Sequence, residues 1–586
     1  MNSIWLATAA LAIFALGYRF YSKFIAEKIY RLDPDYQTPA HALEDGRDFV
    51  PTNKWIVLGH HFTSVAGAAP IVGPAIAIYW GWLPAILWVA LGTVFAAGVH
   101  DFGTLVLSIR HKGRSIGTLA DSLIGRRGRI LFLFIILILV LMINAVFAWV
   151  IANLFISFPA SVLSIFIQIP LAVWIGFYTY RQSGSMLWPT VIVLAVMYGT
   201  AVWASYVPAL QVDLVRYAGG AEATTLFGLS GTSMAFLVWI IVLMTYVYIA
   251  SVLPVWTLLQ PRDFINAQQL LLGLGVLYLG LLFMAPEVTA PMHNPAATDV
   301  SWFPLLFITI ACGAVSGFHG LVSSGTTSKQ IDTEPDARFV GYLGAVGEGA
   351  LAIITVLAVA TFFSSSQAFA ATYSSFAAAG ANGLNAFIQG AGQLATGLGI
   401  PAEAARTIIA VIVVSFAATT LDSSVRLMRY IIGELGEIYR VRPLTNIHVA
   451  TSVAVISSAA LVLGPEGPRG LGSGGYLLWP LFGTSNQLLA GISFLLISIW
   501  LKKKGRPIIY TVVPMVFLLA MTLWAMVRQV VFDWSGLGDS DPNMLLFVFG
   551  ATILCFTIWI LIQSASLFYR MSVSPQEQSR VEGEEV

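Results

Sequence analysis

GHHFTSVAGAAPIVGPAIAI, residues 59–78, sits where a membrane span belongs, yet it is not built as one. It carries a His pair, a Thr and a Ser, the small-residue run Ala66-Gly67-Ala68-Ala69, and then Pro70 and Pro74. A span that only crosses lipid must pair every backbone group within its own helix, because hydrocarbon offers no other partner. Pro70 and Pro74 each remove a donor and crowd the preceding turn. The helix is therefore expected to break near 64–71, leaving bare carbonyls and amides at bilayer depth. Such a break is tolerated only where protein encloses it or it lines a cavity. A Gly/Pro-interrupted span is the best sequence pointer to a transporter binding site.

Composition agrees with a membrane setting. Of 586 residues, 58% are hydrophobic and only 10% charged, and the mean hydropathy is +0.82. A soluble domain carries about 25% charged residues. The chain reads as an all-α polytopic membrane protein with the lipid bilayer as its solvent. A net charge of +1 gives no field that would gather nucleic acid. Cys312 and Cys555 lie in apolar runs and read as buried small hydrophobes. The stretch 4–24 is long enough to span and no small-residue cleavage site follows it, so it reads as a leading span.

At roughly 20 apolar residues per crossing, the chain holds about fifteen spans. Those the argument uses lie at 4–24, 60–79, 83–108, 233–257, 266–285, 303–323, 339–363, 403–425, 447–464 and 475–500. Basic residues crowd every second connection: 109–130, Arg181, Arg262, Lys329 with Arg338, Arg426 to Arg442, Lys502 to Arg506, and Arg570. Loops 286–302 and 364–402 have none. The basic loops read as cytoplasmic. The odd count places the N-terminus outside and the C-terminus inside. Segment 364–402, rich in Ala, Gly and Ser, reads as an extracytoplasmic connection with a short surface helix.

Several stretches resemble the carbon starvation protein A (CstA) family of bacterial inner-membrane transporters. They are GHHFTSVAGAAPIVGPAIA itself, GVHDF at 98–102, ASVLPVWTLLQPRDFIN at 250–266, SGFHGLVSSGTTSKQI at 316–331, TTLDSSVRLMRYIIGE at 419–434 and PLFGTSNQLLAG at 480–491. The resemblance implies uptake of peptides or pyruvate. It also implies a leucine-transporter-type inverted repeat of five plus five discontinuous and continuous helices, with flanking helices. The expected organisation is a leading helix and cytoplasmic loop over 1–55, a first repeat over 56–208 and a second over 209–440. Additional spans and a short cytoplasmic tail fill 441–586. On this scheme 233–257, five spans after 60–79 and opposite in sense, heads the second repeat, with Ser251 and Pro254 as its break.

Candidate substrate contacts are the first break itself (Ser64, Ala66, Gly67, Ala68), Tyr246 and Ser251 on the facing span, and Ser316 and His319 at helical spacing on 303–323. Tyr246 and Tyr248 either face substrate or belong to an interfacial belt. Sodium-coupled relatives with the implied fold hold the ion between two hydroxyls of the eighth core helix and carbonyls of the first break. Carried onto this chain, Ser323 or Ser324, helped by Thr326 or Thr327, meets the carbonyls around Val65 and Ala66. Such an oxygen cage suits a hard cation. The plainer role of those hydroxyls is to bond their own helix or allow close packing.

His100, Asp101 and Glu348 are ionisable groups inside spans, costly there and functional candidates for that reason. They are the candidate proton-coupling groups, against a structural role holding helix ends. The coupling ion is thus sodium or a proton, with no other cofactor and no metal. His60 and His61 are metal ligands, a proton acceptor or a cytoplasmic rim gate. With no neighbouring Cys and no HExxH spacing, the gate is favoured. Asp422 and Arg426, four apart, read as a helical ion pair at an inner gate, and Arg262-Asp263 reads the same way. Asn486 and Gln487 read as scaffold. The leading function is an ion-coupled symporter for small carboxylate-bearing solutes. The alternatives are a channel or uncoupled exchanger, or an intramembrane metal-dependent enzyme, for which no motif appears.

Overall fold

The computed structural model describes residues 2–571 except 47, 183–185, 226–227, 468–469 and 539–540. The tail beyond 571, expected in the cytoplasm, and the side chain of Arg181 lie outside the described residues. The described fold is all-helical, with only isolated β-bridges. Among the described residues, twelve helices are long and apolar enough to cross a membrane. Lys54–Val65 and Ala69–Trp80, bent by 47° across their break, pass the same test together and bring the candidates to 13 if the pair is one span. The two further segments read as spans are shorter. Residues 303–323 are two helices, Trp302–Thr309 and Gly317–Gly325, and 447–464 is the 17-residue helix Ile447–Leu463.

Burial sorts the helices. Gly474–Lys503, Ala402–Ile438 and Arg338–Phe362 are buried along most of their apolar length, whereas Ser3–Tyr30 and Met544–Arg570 mostly face outward. Two long helices, Ile116–Ser157 and Ala402–Ile438, pack along each other at the centre. The first is kinked by Gly125, whose φ of 84° only glycine adopts readily. Leu259–Met284 packs on Lys54–Val65, and Trp479–Lys503 packs on Gly317–Gly325.

The first break falls at 66–68, inside the expected window, and its cause is local. Ala66 leaves the helical region at φ −80°, ψ 57°, and Gly67 N–H bonds Val65 O at 2.9 Å, an inverse γ-turn. Pro70 opens the next half-helix, where its missing N–H is not needed. Pro74 does not break the chain; it is carried inside that half-helix. The second break is elsewhere than expected. Gly231–Val252 is continuous, and the interruption at Ser251–Pro254 separates it from Leu259–Met284 instead of dividing one span. The interrupted partner is 302–325, where Ile310 and Gly313 (φ 96°) leave the helical region. The two breaks touch. A Cβ on Gly73 would lie 2.3 Å from Thr309 O, and one on Gly313 would lie 3.6 Å from Pro70 Cα.

Segment 364–402 is more than a short surface helix. It holds Ser366–Thr372 and the 21-residue Phe376–Thr396, which packs on Ala69–Ala77, Leu343–Phe362 and Ala402–Ile438. Tyr373 Oη donates to Ala75 O at 2.9 Å, tying the segment to the second half of the broken span.

Gly73→Val should destabilise the protein by at least ~2 kcal/mol through overpacking against backbone. Gly199→Ala, in a helix and with nothing within 4 Å of its Cβ, should be neutral or stabilising by up to ~1 kcal/mol. Thermal melts of the detergent-purified variants check the contrast; equal melting points would refute the close packing.

Candidate functional site

Two interrupted helices free backbone groups in the core, and their side-chain partners form the site. At the first break, Ser64, Ala66, Gly67 and Ala68 are all buried. Gly67 is required there. A Cβ would meet Thr420 Oγ1 at 2.4 Å and Phe147 at 2.8 Å, so Ala402–Ile438 and Ile116–Ser157 press directly on the turn. Thr420 Oγ1 donates to Ser64 O at 3.4 Å, and the Ser64 and Ser423 hydroxyls lie 3.5 Å apart. The hydroxyls that meet this break are therefore Thr420 and Ser423. The sequence signal was present in TTLDSS, but the ion reading was attached to span 303–323.

That reading needs correcting. Ser324 donates to Gly320 O at 2.6 Å and accepts from Ile116 N–H at 2.9 Å, so it pins the entry of Ile116–Ser157 and does not face the break. Thr326 and Thr327 meet His60 Nε2 at 3.2 Å and His61 Nδ1 at 3.1 Å. Val65 O takes the Gly67 N–H. Ser323 has a buried hydroxyl with no partner among the described residues.

At the second break the partners are charged. Gly313 N–H donates to Glu348 Oε1 at 2.9 Å. His319 lies one turn into the following half-helix. Its Nδ1 is 2.9 Å from Asp101 Oδ2, and its Nε2 lies 3.3 Å from Glu348 Oε1, at ion-pair distance without hydrogen-bond geometry. His100 Nδ1 is 2.8 Å from Asp101 Oδ1. The result is a continuous line of four buried titratable side chains, His100–Asp101–His319–Glu348, from three helices. His100 and Asp101 come from Gly98–Ile109, His319 from the interrupted span and Glu348 from Leu343–Phe362. Each charge is tolerable at this depth only because the next one neutralises it.

Asn486 closes the same break. Its Oδ1 accepts from Phe318 N–H at 2.9 Å, capping the half-helix from a neighbouring helix, and its amide meets the Ser316 hydroxyl at 2.9 Å. Asn486 thus belongs to the site, not to a peripheral scaffold. Cys312 Sγ, His319 and Glu348 hold ligand-type atoms within 4.8 Å of one another. Glu348 is already bonded to Gly313, and Cys312 Sγ accepts from Asn486 Nδ2 at 3.3 Å, so we assign the cluster to hydrogen bonding.

A second charged cluster sits toward the basic-loop end. Arg262 bonds both Asp422 and Tyr246, and Tyr246 Oη donates to Asp422 Oδ2 at 2.8 Å. His60 Nδ1 lies 2.5 Å from Asp263 Oδ2. The partner of Asp422 is thus Arg262, across helices, and not Arg426 on its own helix. Arg426 instead donates to Ala250 O and Leu253 O, each at 2.8 Å, and Arg429 donates to Ser251 O at 2.6 Å. The carbonyls at the buried end of Gly231–Val252 need donors, and the two arginines supply them. The Tyr246 hydroxyl is accordingly taken up in this cluster, whereas Ser251 gives only its carbonyl to Arg429 and keeps a buried hydroxyl with no partner among the described residues. Tyr248 meets His448 Nδ1 at 3.0 Å. A cavity of about 20 Å³ reaches His60 and Thr326 from this end.

Comparison with known proteins follows the same lines. The family model described as Carbon starvation protein CstA matches residues 2–380 and 363–525. "Peptide transporter CstA" of Campylobacter jejuni is 34% identical over 591 residues, covering 90% of this chain and 80% of that protein. "Peptide transporter CstA" of Bacillus subtilis is 31% identical, covering 94% of both. "Pyruvate/proton symporter BtsT" of Escherichia coli is 30% identical, covering 90% of this chain and 81% of that one. Among solved structures, MhsT in complex with L-phenylalanine aligns with a TM-score of 0.45 at 13% identity, over 88% of this chain and 99% of that one. The chain belongs to the carbon starvation protein CstA family.

Proposed function

We propose that this protein is a proton-coupled symporter that imports a small carboxylate-bearing nutrient, a peptide or pyruvate, across a bacterial inner membrane. The observation that carries the reading is the buried line His100–Asp101–His319–Glu348 fastened to the second break. One proton added to or removed from that line changes the charge balance among three helices at once. His319 is the only member on the interrupted span, so the change alters how firmly that half-helix is held. A proton drives transport only if it binds the two states of the carrier unequally, and a contact that exists in one helix arrangement supplies that difference.

The proton reading agrees with the printed activity of one relative. The half-helix N-termini at the two breaks carry the positive dipole end that suits the carboxylate shared by both substrate classes. The Arg262–Asp422–Tyr246 cluster, with His60–Asp263, is assigned as the inner gate.

Fifteen crossings with the N-terminus outside are proposed, built on an inverted repeat whose halves are headed by the two interrupted spans. The first half takes 54–284, with the hairpin 162–206 inserted, and the second takes 302–503. Matching features support this pairing. Each interrupted span is followed by a helix with a π-turn, Thr93–Ala97 or Arg338–Tyr342. A long central helix then follows, Ile116–Ser157 directly in the first half and Ala402–Ile438 after the inserted Ser366–Thr372 and Phe376–Thr396 in the second. The last helix of each half packs on that half's own interrupted span and on the other half's long helix. These boundaries differ from 56–208 and 209–440 because the second head is 302–325.

The test is uptake by purified protein in liposomes, crossing pyruvate and dipeptides against imposed proton and sodium gradients. Proton-driven accumulation with no response to sodium is expected; accumulation driven by sodium alone would overturn the proton reading. Glu348→Gln keeps an acceptor for Gly313 N–H while removing the charge. It should reduce gradient-driven uptake to the level of empty liposomes yet retain exchange. Wild-type pH dependence in this variant would remove Glu348 from coupling.

Asp422→Asn weakens the inner gate in the same framework. Labelling of a Thr326→Cys reporter by an impermeant maleimide from the basic-loop side should rise several-fold in that background, as expected where a buried ion pair loses one partner. Unchanged labelling would count against the gate.

A further inference from the structure

Phe376–Thr396 has two faces with different chemistry. Ala379, Gly383, Ala386 and Gly390 form the packed face. A Cβ on Gly383 would lie 3.3 Å from Ala75, and one on Gly390 would lie 2.2 Å from Ala358 O. The other face carries Asn382, Asn385 and Gln389, at i, i+3 and i+7. Packing does not explain this row: Asn382 and Asn385 are exposed. It looks across a cavity of about 330 Å³ toward the last turn of Ile116–Ser157, where Asn153 and Ser157, at i and i+4, line the opposite wall. The remaining lining is apolar, and no charged side chain takes part.

We propose that this cavity is an outer docking site for the backbone of a peptide. The inference rests on the transporter reading and narrows its substrate class. A primary amide offers a carbonyl acceptor and an N–H₂ donor together, the complement of a peptide group. Gln389 Oε1 accepts from Arg406 at 3.3 Å, which leaves its N–H₂ for a ligand carbonyl. Asn382 Nδ2 donates to Thr372 O at 3.2 Å, which leaves its Oδ1 for a ligand N–H. The charge on Arg406 is itself paired with Glu403. A free carboxylate such as pyruvate finds no cation in the lining and would lose hydration without replacement. The volume falls within the range of small-ligand pockets, about 300–1,000 Å³.

Position connects the cavity to the site. One wall, Ile116–Ser157, presses on the first break, and the other, Phe376–Thr396, packs on the half-helix that follows it. Phe376–Thr396 rests on Ala75 and Ile76 of the second half-helix. Ile116–Ser157 reaches the break through Phe147, six residues or about 9 Å along the helix from Asn153. The cavity lies at the end bearing the loops without Lys or Arg, the side from which an imported solute arrives.

The test uses tri-alanine as the probe, with calorimetric binding to detergent-purified protein and uptake into liposomes alongside pyruvate. Asn385→Leu should weaken tri-alanine affinity about tenfold, the loss expected when hydrogen bonds to a ligand are removed. Asn385→Gln should restore most of it, and pyruvate KM and kcat should not move. Gln389→Leu, on the next turn, should repeat the pattern. Unchanged tri-alanine affinity in both leucine variants, or no tri-alanine binding by wild type, would overturn the site. So would an equal rise in pyruvate KM, which marks a general disturbance of the helix. A wild type that binds tri-alanine but accumulates neither solute would instead overturn the transporter reading and leave the docking site standing.

Discussion

A backbone freed from its helix inside a membrane must find partners within the protein, because lipid supplies none. The rest of this structure is arranged around two such releases. The first is settled by a γ-turn at Ala66 and by the Thr420 hydroxyl reaching Ser64 O. The second is settled by Glu348 on the Gly313 amide and by Asn486 on the Phe318 amide. One break is answered by neutral groups and the other by a carboxylate. Only the second ties the backbone to a titratable side chain.

The glycines mark how closely these elements approach. Gly67 and Gly73 lie where a side chain would strike Thr420, Phe147 or Thr309. The turn is therefore held between the two long central helices, and its freedom to rearrange is coupled to theirs. The His pair extends the link. His60 and His61 reach Thr326 and Thr327 at the far end of the second interrupted span, so the two interrupted spans are joined at their ends as well as at their breaks. The Arg262–Asp422 cluster lies on neighbouring helices and meets this pair through the His60–Asp263 contact.

The sequence by itself determined the membrane class, the leading span and the break at 66–68. These rest on local rules: composition, the length of apolar runs, and the steric demands of Gly and Pro next to a helix. It also singled out His100, Asp101 and Glu348 as ionisable residues inside spans, and His319 as a substrate contact at helical spacing with Ser316. The tertiary structure alone decided which of them meet. His319 and Glu348 are 29 positions apart in sequence, and His319 lies 218 from Asp101. No spacing rule relates residues on different helices.

The same limit explains the misplacements. Asp422 and Arg426 satisfy the spacing for a helical pair, but the orphaned carbonyls of Gly231–Val252 draw Arg426 away and leave Asp422 to Arg262. Ser324 has the right type for an ion cage but faces Ile116. Pro254 marked a true interruption, yet whether it divides one span or separates two depends on where Leu259–Met284 begins. The second break has no proline at its centre, in ITIACGAVSG, and was read as continuous helix. It stays open because Glu348 and Asn486, from other helices, satisfy its amides, and that support exists only once the chain has folded.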